Sequence, residues 1–398
     1  MKVLLGTAYF ASHRGGIEIV AGRLASELQR AGDDVTWLAC DATPPPPADA
    51  GCGEPLVVGA SNITERRLGF PLPLPGPGAL ARIWRAVRSA DALLLHDALY
   101  PTNVAAMLAA GWYRKPVVLV QHIAVVPYRS LLLRTLMTVA NAVVARPMLA
   151  AADQVVFISE TVCRHFSGLR FKAQPQVIFN GVDTGVFRLP PGDFDKAAAR
   201  SALGLPVNGE TVLFVGRFVE KKGLHIVERL ARRQPDRNFV LAGWGPIDPR
   251  AWGLANVHVV SGLEGRSLVP LYQSADALLL PSIGEGLPLV MQEALACGLA
   301  VVCGAETATA DPDLATVVDG VAIDATDPAG TSEAFGRVLD RVLADGSDAL
   351  GGDTARARHD YVLARYSWAE AAAAYRAMLR SLVQPGEVPV ATPVARAR

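Results

Sequence analysis

The sequence predicts an α/β protein made of two doubly wound, parallel-sheet domains facing each other across a cleft. Three observations carry this. Short apolar runs, suited to strands buried on both faces, alternate with helix-length amphipathic stretches along most of the 398 residues. The alternation breaks at Leu189-Pro190-Pro191-Gly192 and then begins again. With 51% hydrophobic and 19% charged residues, a chain this long can bury large cores without disulfide or metal staples.

The elements follow in order. Val3-Leu4-Leu5 reads as the first strand, and Ile17, Val20, Leu24 and Leu28 then recur at helical spacing. Val35–Leu38 supplies the next strand, and Ala92–Leu95, Val117–Val120 and Gln154–Ile158 continue the series. Val104–Gly111 is helix-like behind a cap at Thr102 or Asn103. After the break near residue 190, Thr211–Val215, Phe239–Ala242, Val257–Val260, Ala277–Leu280 and Ala300–Val302 read as strands, with a helix over Leu224–Leu230. Pro44–Pro47 and Pro71–Pro77 are irregular connections, and 384–398 is expected to be a disordered tail. Ligands of such sheets bind beyond the carboxyl ends of the strands, so the loops after these runs are where chemistry is expected.

Composition excludes several classes. Lys+Arg and Asp+Glu are each 38, which argues against a general nucleic-acid coat protein. The five cysteines include no C-x-x-C pair and read as buried thiols of a cytoplasmic protein rather than a zinc site or disulfide frame. Val3–Ser12 is short for a signal sequence and runs straight into Gly15-Gly16 and an amphipathic helix. No segment reaches the roughly 20 apolar residues that span a bilayer. A nicotinamide oxidoreductase is disfavoured because no G-x-G-x-x-G follows the first strand.

Two segments carry chemistry. In Leu213–Gly223 a strand ends at Gly216, Arg217 and Lys222 stand five residues apart, and a helix starts after Gly223. A helix N-terminus with two added cations suits an anionic ligand. In Leu280–Ala294, Glu285 lies in a loop and Glu293, eight residues on, in the second turn of a helix starting near Pro288. Gly286 and Leu287 would present N–H groups at that helix start. Glu293 sits in a largely apolar stretch, where an unpaired carboxylate is costly.

These segments, together with Gly15-Gly16, Asn180-Gly181-Val182-Asp183 followed by Phe187, and Gly243-Trp244-Gly245-Pro246, resemble a retaining family-4 glycosyltransferase of the GT-B fold, from residue 1 to about residue 380. The resemblance implies an acceptor-binding domain at 1–188, a nucleotide-sugar domain at 189–366, and a helix over about 367–383 packing back on the first domain. Arg217 and Lys222 would grip the donor diphosphate, Glu293 the ribose hydroxyls and Glu285 the hydroxyls of the donor sugar. Gly216, Gly243, Gly245, Gly286 and Leu287 would line the donor site. The Gly16 loop would approach the diphosphate or acceptor closely, with Gly15 on the acceptor side. His122 matches a family histidine near the sugar, and His96 is the weaker, acceptor-side candidate. No cofactor and no metal are implied, because fixed cations stabilise the leaving phosphate.

Two places depart from the family pattern. Trp244 replaces a common acidic residue and either stacks on a base or, preferably, covers the loop edge. Cys303–Pro312 has no clear register with the family's glycine pair and Glu.

The acceptor is less legible. Residues 61–172 hold 13 Lys/Arg against 5 Asp/Glu, with Arg129, Arg134 and Arg146 interrupting an apolar stretch that includes Leu131-Leu132-Leu133. Such a surface could rest on the inner face of an anionic membrane and take a lipid-linked acceptor, as in polysaccharide or glycolipid assembly. The neutral total hides a basic half, with 18 basic and 13 acidic residues in 1–190, and an acidic half, with 20 and 25 in 191–398. A sugar-nucleotide epimerase, a phosphorylase and a non-catalytic nucleotide-sugar-binding subunit are the alternatives.

Overall fold

The computed structural model describes residues 1–61, 72–124, 131–344 and 352–384. The expected tail over 385–398, Arg129 and the side chains of Leu131-Leu132-Leu133 lie outside what is described. The strands are β1 (Lys2–Gly6), β2 (Asp34–Cys40), β3 (Glu54–Val58), β4 (Ala60–Ser61), β5 (Leu74–Pro75), β6 (Ala92–His96), β7 (Val117–Gln121), β8 (Gln154–Phe157) and β9 (Gln176–Val177) in the first half. The second half has β10 (Thr211–Arg217), β11 (Asn238–Trp244), β12 (Val257–Val260), β13 (Ala277–Leu280), β14 (Ala300–Gly304) and β15 (Asp319–Val321).

They form a seven-stranded sheet in the order β3-β2-β1-β6-β7-β8-β9 and a six-stranded sheet in the order β12-β11-β10-β13-β14-β15, with β4 and β5 pairing separately. Every pairing in the two large sheets is parallel. Helices cover both faces, so each sheet separates two apolar clusters and its central strands are buried on both sides. Strand order reverses beside β1 in one sheet and beside β10 in the other, and the loops leaving these two strands are the natural ligand sites. The two-sheet α/β architecture expected from the sequence is the one observed. The short strands β9 and β15 went unread because two or three residues carry no periodicity.

The last two helices tie the halves together. Helix Asp353–Arg365 brings Val362, and the adjoining Tyr366, into the core around Leu278, Met291 and Leu295. Helix Trp368–Val383 then crosses to the first sheet, where Tyr375, Met378 and Leu379 join Val3, Leu5, Leu24 and Val120. Arg376 holds Asp33 at 2.6 Å there. Gly181 of the Asn-Gly-Val-Asp segment lies beneath Trp368, so close that a Cβ would stand 2.4 Å from the Trp368 nitrogen. The five cysteines are separate thiols, four of them buried.

Candidate active site

A cavity of about 380 Å³ lies between the two halves, at the carboxyl ends of both sheets. Its walls include Gly15, Gly16, Glu18 and His122 from the first half, and Gly216, Arg217, Lys222, Gly243, Glu285, Gly286, Leu287 and Glu293 from the second. Residues as far apart in sequence as 15 and 293 therefore share one space.

Arg217 is the last residue of β10, and its guanidinium lies over the Trp244 ring, 4.8 Å from the centroid. Trp244 thus acts as a platform for a cation, which neither sequence reading of this residue anticipated. Arg217 Nε is buried and finds no acceptor among the described residues. Gly216 and Gly243 are paired across β10 and β11. A Cβ on Gly243 would stand 1.9 Å from the Gly216 carbonyl oxygen, and one on Gly245 would stand 2.4 Å from that of Phe218. Backbone packed against backbone is the reason for glycine at both positions.

Lys222 is paired rather than free. Its Nζ lies 3.0 Å from Glu285 Oε2, and Lys221 Nζ lies 3.8 Å from Oε1. Burial alone would raise the Glu285 carboxyl, but the two ammonium groups outweigh it and hold it below the usual range. The loop is pinned by Ile283 N–H donating to the Lys221 carbonyl at 2.9 Å. Gly223, at φ +72°, starts helix Leu224–Arg233 with a Cβ position 2.1 Å from the Pro281 carbonyl oxygen.

Glu293 lies in the second turn of helix Leu289–Ala296 and accepts a 2.7 Å hydrogen bond from the Tyr272 hydroxyl. Its apolar surroundings push its carboxyl up to about 7, against the pull of that hydrogen bond. Gly286 packs on the first half, its Cβ position 3.0 Å from the His122 carbonyl oxygen. Leu287 is in the core as well as at the cavity wall.

On the first half, His122 follows β7 and lines the cavity; its Nε2 is 2.9 Å from His96 Nδ1. Burial lowers His122 to about 3 and takes His96 well below its ordinary value, so both imidazoles are neutral. His96 is not at the cavity wall. It is fully buried at the end of β6 and reaches the cavity only through His122, which corrects its placement on the acceptor side.

The glycine loop, with Gly15 and Gly16, lies at the cavity wall. A Cβ on Gly16 would meet nothing within 4 Å, whereas one on Gly15 would run into Glu18 Oε2 at 2.0 Å. The Glu18 carboxylate ends a flexible side chain and can shift, so packing within the protein demands glycine at neither position.

Sequence reasoning missed Glu18, Asp97, Tyr100 and Lys221. Burial raises Glu18 to about 7 and Asp97 to about 6, and the positive charges of Arg217 and Lys221 respectively offset part of this from the other half. Glu18 looked like an ordinary first-turn acid, which helix capping explains without a site. Only the tertiary fold, across 199 positions of sequence, brings it near Arg217.

Two Asp-x-Asp triplets occur, Asp193-Phe194-Asp195 and Asp311-Pro312-Asp313. Asp195 caps helix Lys196–Ala202, while Asp311 accepts from the Tyr361 and Tyr366 hydroxyls at 2.8 and 2.9 Å. Neither triplet lines the cavity. Among the described residues no cluster of three or more His, Cys, Asp or Glu side chains could hold a metal ion.

The comparisons with known proteins agree with this arrangement. The family model "Glycosyltransferase Family 4" matches residues 14–186, and "Glycosyl transferases group 1" matches residues 209–341. A D-inositol 3-phosphate glycosyltransferase of Acidothermus cellulolyticus is 34% identical over 221 residues, covering 48% of this chain and 47% of that protein. The chain thus spans about half the length of the curated relatives it matches. Among solved structures, sucrose-phosphate synthase from Thermosynechococcus elongatus superposes with a TM-score of 0.73 at 20% identity, covering 96% of this chain and 99% of that one. Anabaena HepE, solved in complex with UDP-glucose, gives 0.71 at 17% identity, with 96% and 100% covered. The two glycosyltransferase family models thus match most of the chain, in order, one in each half, and the chain shares the two-sheet GT-B fold of these solved structures.

Proposed function

We propose that this protein transfers a sugar from a nucleotide-diphosphate donor to a saccharide or lipid-linked acceptor, with retention at the anomeric carbon. The observation that carries the reading is the single cavity joining Gly15, Gly16 and His122 to Arg217, Lys222, Glu285 and Glu293. Arg217, with its buried and unpartnered Nε, and Lys222 face the donor diphosphate, and Glu293 takes the ribose hydroxyls. Glu285, held ionised by two lysines, takes hydroxyls of the donor sugar. The similarity to HepE, a protein solved with UDP-glucose bound, supports a nucleotide-sugar donor.

Cleavage of the glycosyl bond leaves positive charge on the sugar and negative charge on the departing phosphate. Arg217 and Lys222 are fixed before reaction, so they stabilise that phosphate without reorganising. His122, kept neutral by burial, offers a hydrogen bond beside the sugar without opposing the positive charge. The acceptor hydroxyl attacks from the leaving-group side and gives its proton to a phosphate oxygen, so no separate base is assigned. These cations supply the charge that a divalent ion would bring, and EDTA should leave the rate unchanged.

The acceptor side supports a membrane-bound setting at the cytoplasmic face, in polysaccharide or glycolipid assembly. Leu136, Val139 and Val143 are exposed at helical spacing beside exposed Arg134. No helix among the described residues is long and apolar enough to cross a membrane. Sedimentation with anionic vesicles at low salt tests this, and no binding would refute it.

The activity test incubates the protein with UDP-, ADP- and GDP-sugars and measures free nucleotide with and without saccharide, polyol-phosphate and lipid-linked acceptors. Acceptor-dependent release supports transfer. Unchanged release by Lys222→Ala or Glu293→Ala would overturn the site assignment.

A further inference from the structure

Tyr272 belongs to helix Val269–Ser274, is 0% exposed, and does not reach the cavity. Its ring packs edge-on against Phe187 with centroids 5.9 Å apart, within the cluster that holds Met291, Leu295 and Cys297. Packing explains an aromatic ring at this position but not a hydroxyl, because a phenylalanine would fill the same space. A buried phenol needs a partner, and the one it has is Glu293 Oε2 at 2.7 Å. Glu293 is the carboxylate that does line the cavity.

We propose that Tyr272 is a positioning residue for donor binding: its hydroxyl engages one oxygen of Glu293 and thereby fixes the carboxylate so that the other oxygen meets the ribose hydroxyls. This rests on the reading of Glu293 as the ribose ligand. A glutamate in a helix has three side-chain torsions, and one short hydrogen bond to a buried, packed ring removes most of that freedom before the donor arrives. The same bond favours the ionised carboxylate, which accepts from both ribose hydroxyls, over the protonated form.

The other groups acting on Glu293 are few. Arg23 reaches it electrostatically from helix Gly16–Arg30, and Arg23 is itself 3.7 Å from Asp183. Cys297, one turn further along the same helix face, is pushed up to about 12 by burial and stays neutral. Glu285 and Lys222, elsewhere on the cavity wall, are paired with each other at 3.0 Å.

The test compares wild type, Tyr272→Phe and Glu293→Gln by calorimetric titration with UDP-glucose, ADP-glucose and GDP-mannose between pH 5.5 and 9. These diesters have no phosphate group titrating in that range. Tyr272→Phe should weaken the nucleotide sugar that binds wild type by about tenfold, the loss typical of a hydrogen bond to a charged group. Its affinity should also rise at higher pH than wild type, because Glu293 then ionises later. Glu18 and Asp97 titrate in the opposite sense but are common to both proteins, so the difference reports on Glu293. Thermal unfolding checks that Tyr272→Phe remains folded, and a packing role alone would move the melting temperature without moving the pH midpoint. If Glu293→Gln weakens binding and Tyr272→Phe leaves both affinity and pH midpoint unchanged, the positioning role is refuted while the donor site stands. If neither variant binds differently from wild type, the donor-site reading falls and the positioning role falls with it.

Discussion

Replacing Gly223 by alanine tests how tightly the cationic loop is built. At φ +72° the backbone is in the left-handed region, where a residue with a Cβ costs about 1–2 kcal/mol. The added Cβ would stand 2.1 Å from the Pro281 carbonyl oxygen, against a floor of 3.0 Å for real contacts. Pro281 is backbone at the end of β13, so it must move by most of an ångström, and overpacking of this kind costs about 1–3 kcal/mol. The sum is about 2–5 kcal/mol, which lowers the melting temperature of a half of this size by roughly 5–15 °C. Because the displaced segment leads directly to Glu285, the 3.0 Å contact with Lys222 should open and nucleotide-sugar affinity should fall as well. Thermal unfolding and titration with a nucleotide sugar measure the two effects. Gly16→Ala, where no atom lies within 4 Å of the added carbon, serves as the control and should leave the melting temperature unchanged. A Gly223→Ala protein with wild-type melting temperature and affinity would refute the steric argument.

Trp244→Ala removes the surface on which the Arg217 guanidinium rests at 4.8 Å. At a partly exposed site this contact is worth about 0.5–1 kcal/mol, so nucleotide-sugar affinity should drop about two- to fivefold; an unchanged dissociation constant would show that Arg217 holds its place without the ring. Glu18→Gln should stabilise the ligand-free protein at pH 8. The folded carboxyl, raised by burial from 4.5 to about 7, contributes stability below its unfolded value and loses it as pH rises through 7. The glutamine carries no such penalty, so its advantage should reach about 1–3 kcal/mol at pH 8 and vanish near pH 4.5, as read from denaturant unfolding at the two pH values. A constant difference across that range would remove Glu18 from the titrating groups.

The sequence by itself determined the fold class, because buried parallel strands must be continuous apolar runs and the helices between them must be amphipathic. Val3-Leu4-Leu5, Thr211–Val215 and Ala277–Leu280 announce themselves this way, and the Leu189–Gly192 break separates the two series. It also singled out Arg217 and Lys222, two cations between a strand end and a helix start, and Glu285 and Glu293, eight residues apart with Glu293 in an apolar helix.

Tertiary structure decided what those groups touch. Lys222 is paired with Glu285 from a loop 63 residues on, and Glu293 is oriented by a tyrosine whose pattern reads only as core. Trp244 supports an arginine from the neighbouring strand. His96 is sealed behind His122, and Glu18, an unremarkable first-turn acid, faces Arg217 across the cleft. Each of these depends on strand order, on the way two sheets meet, and on which atoms lose water when they do. Burial and long-range charge set the protonation of Glu18, Asp97, His122 and Glu293, and neither quantity is a property of residues adjacent in the chain.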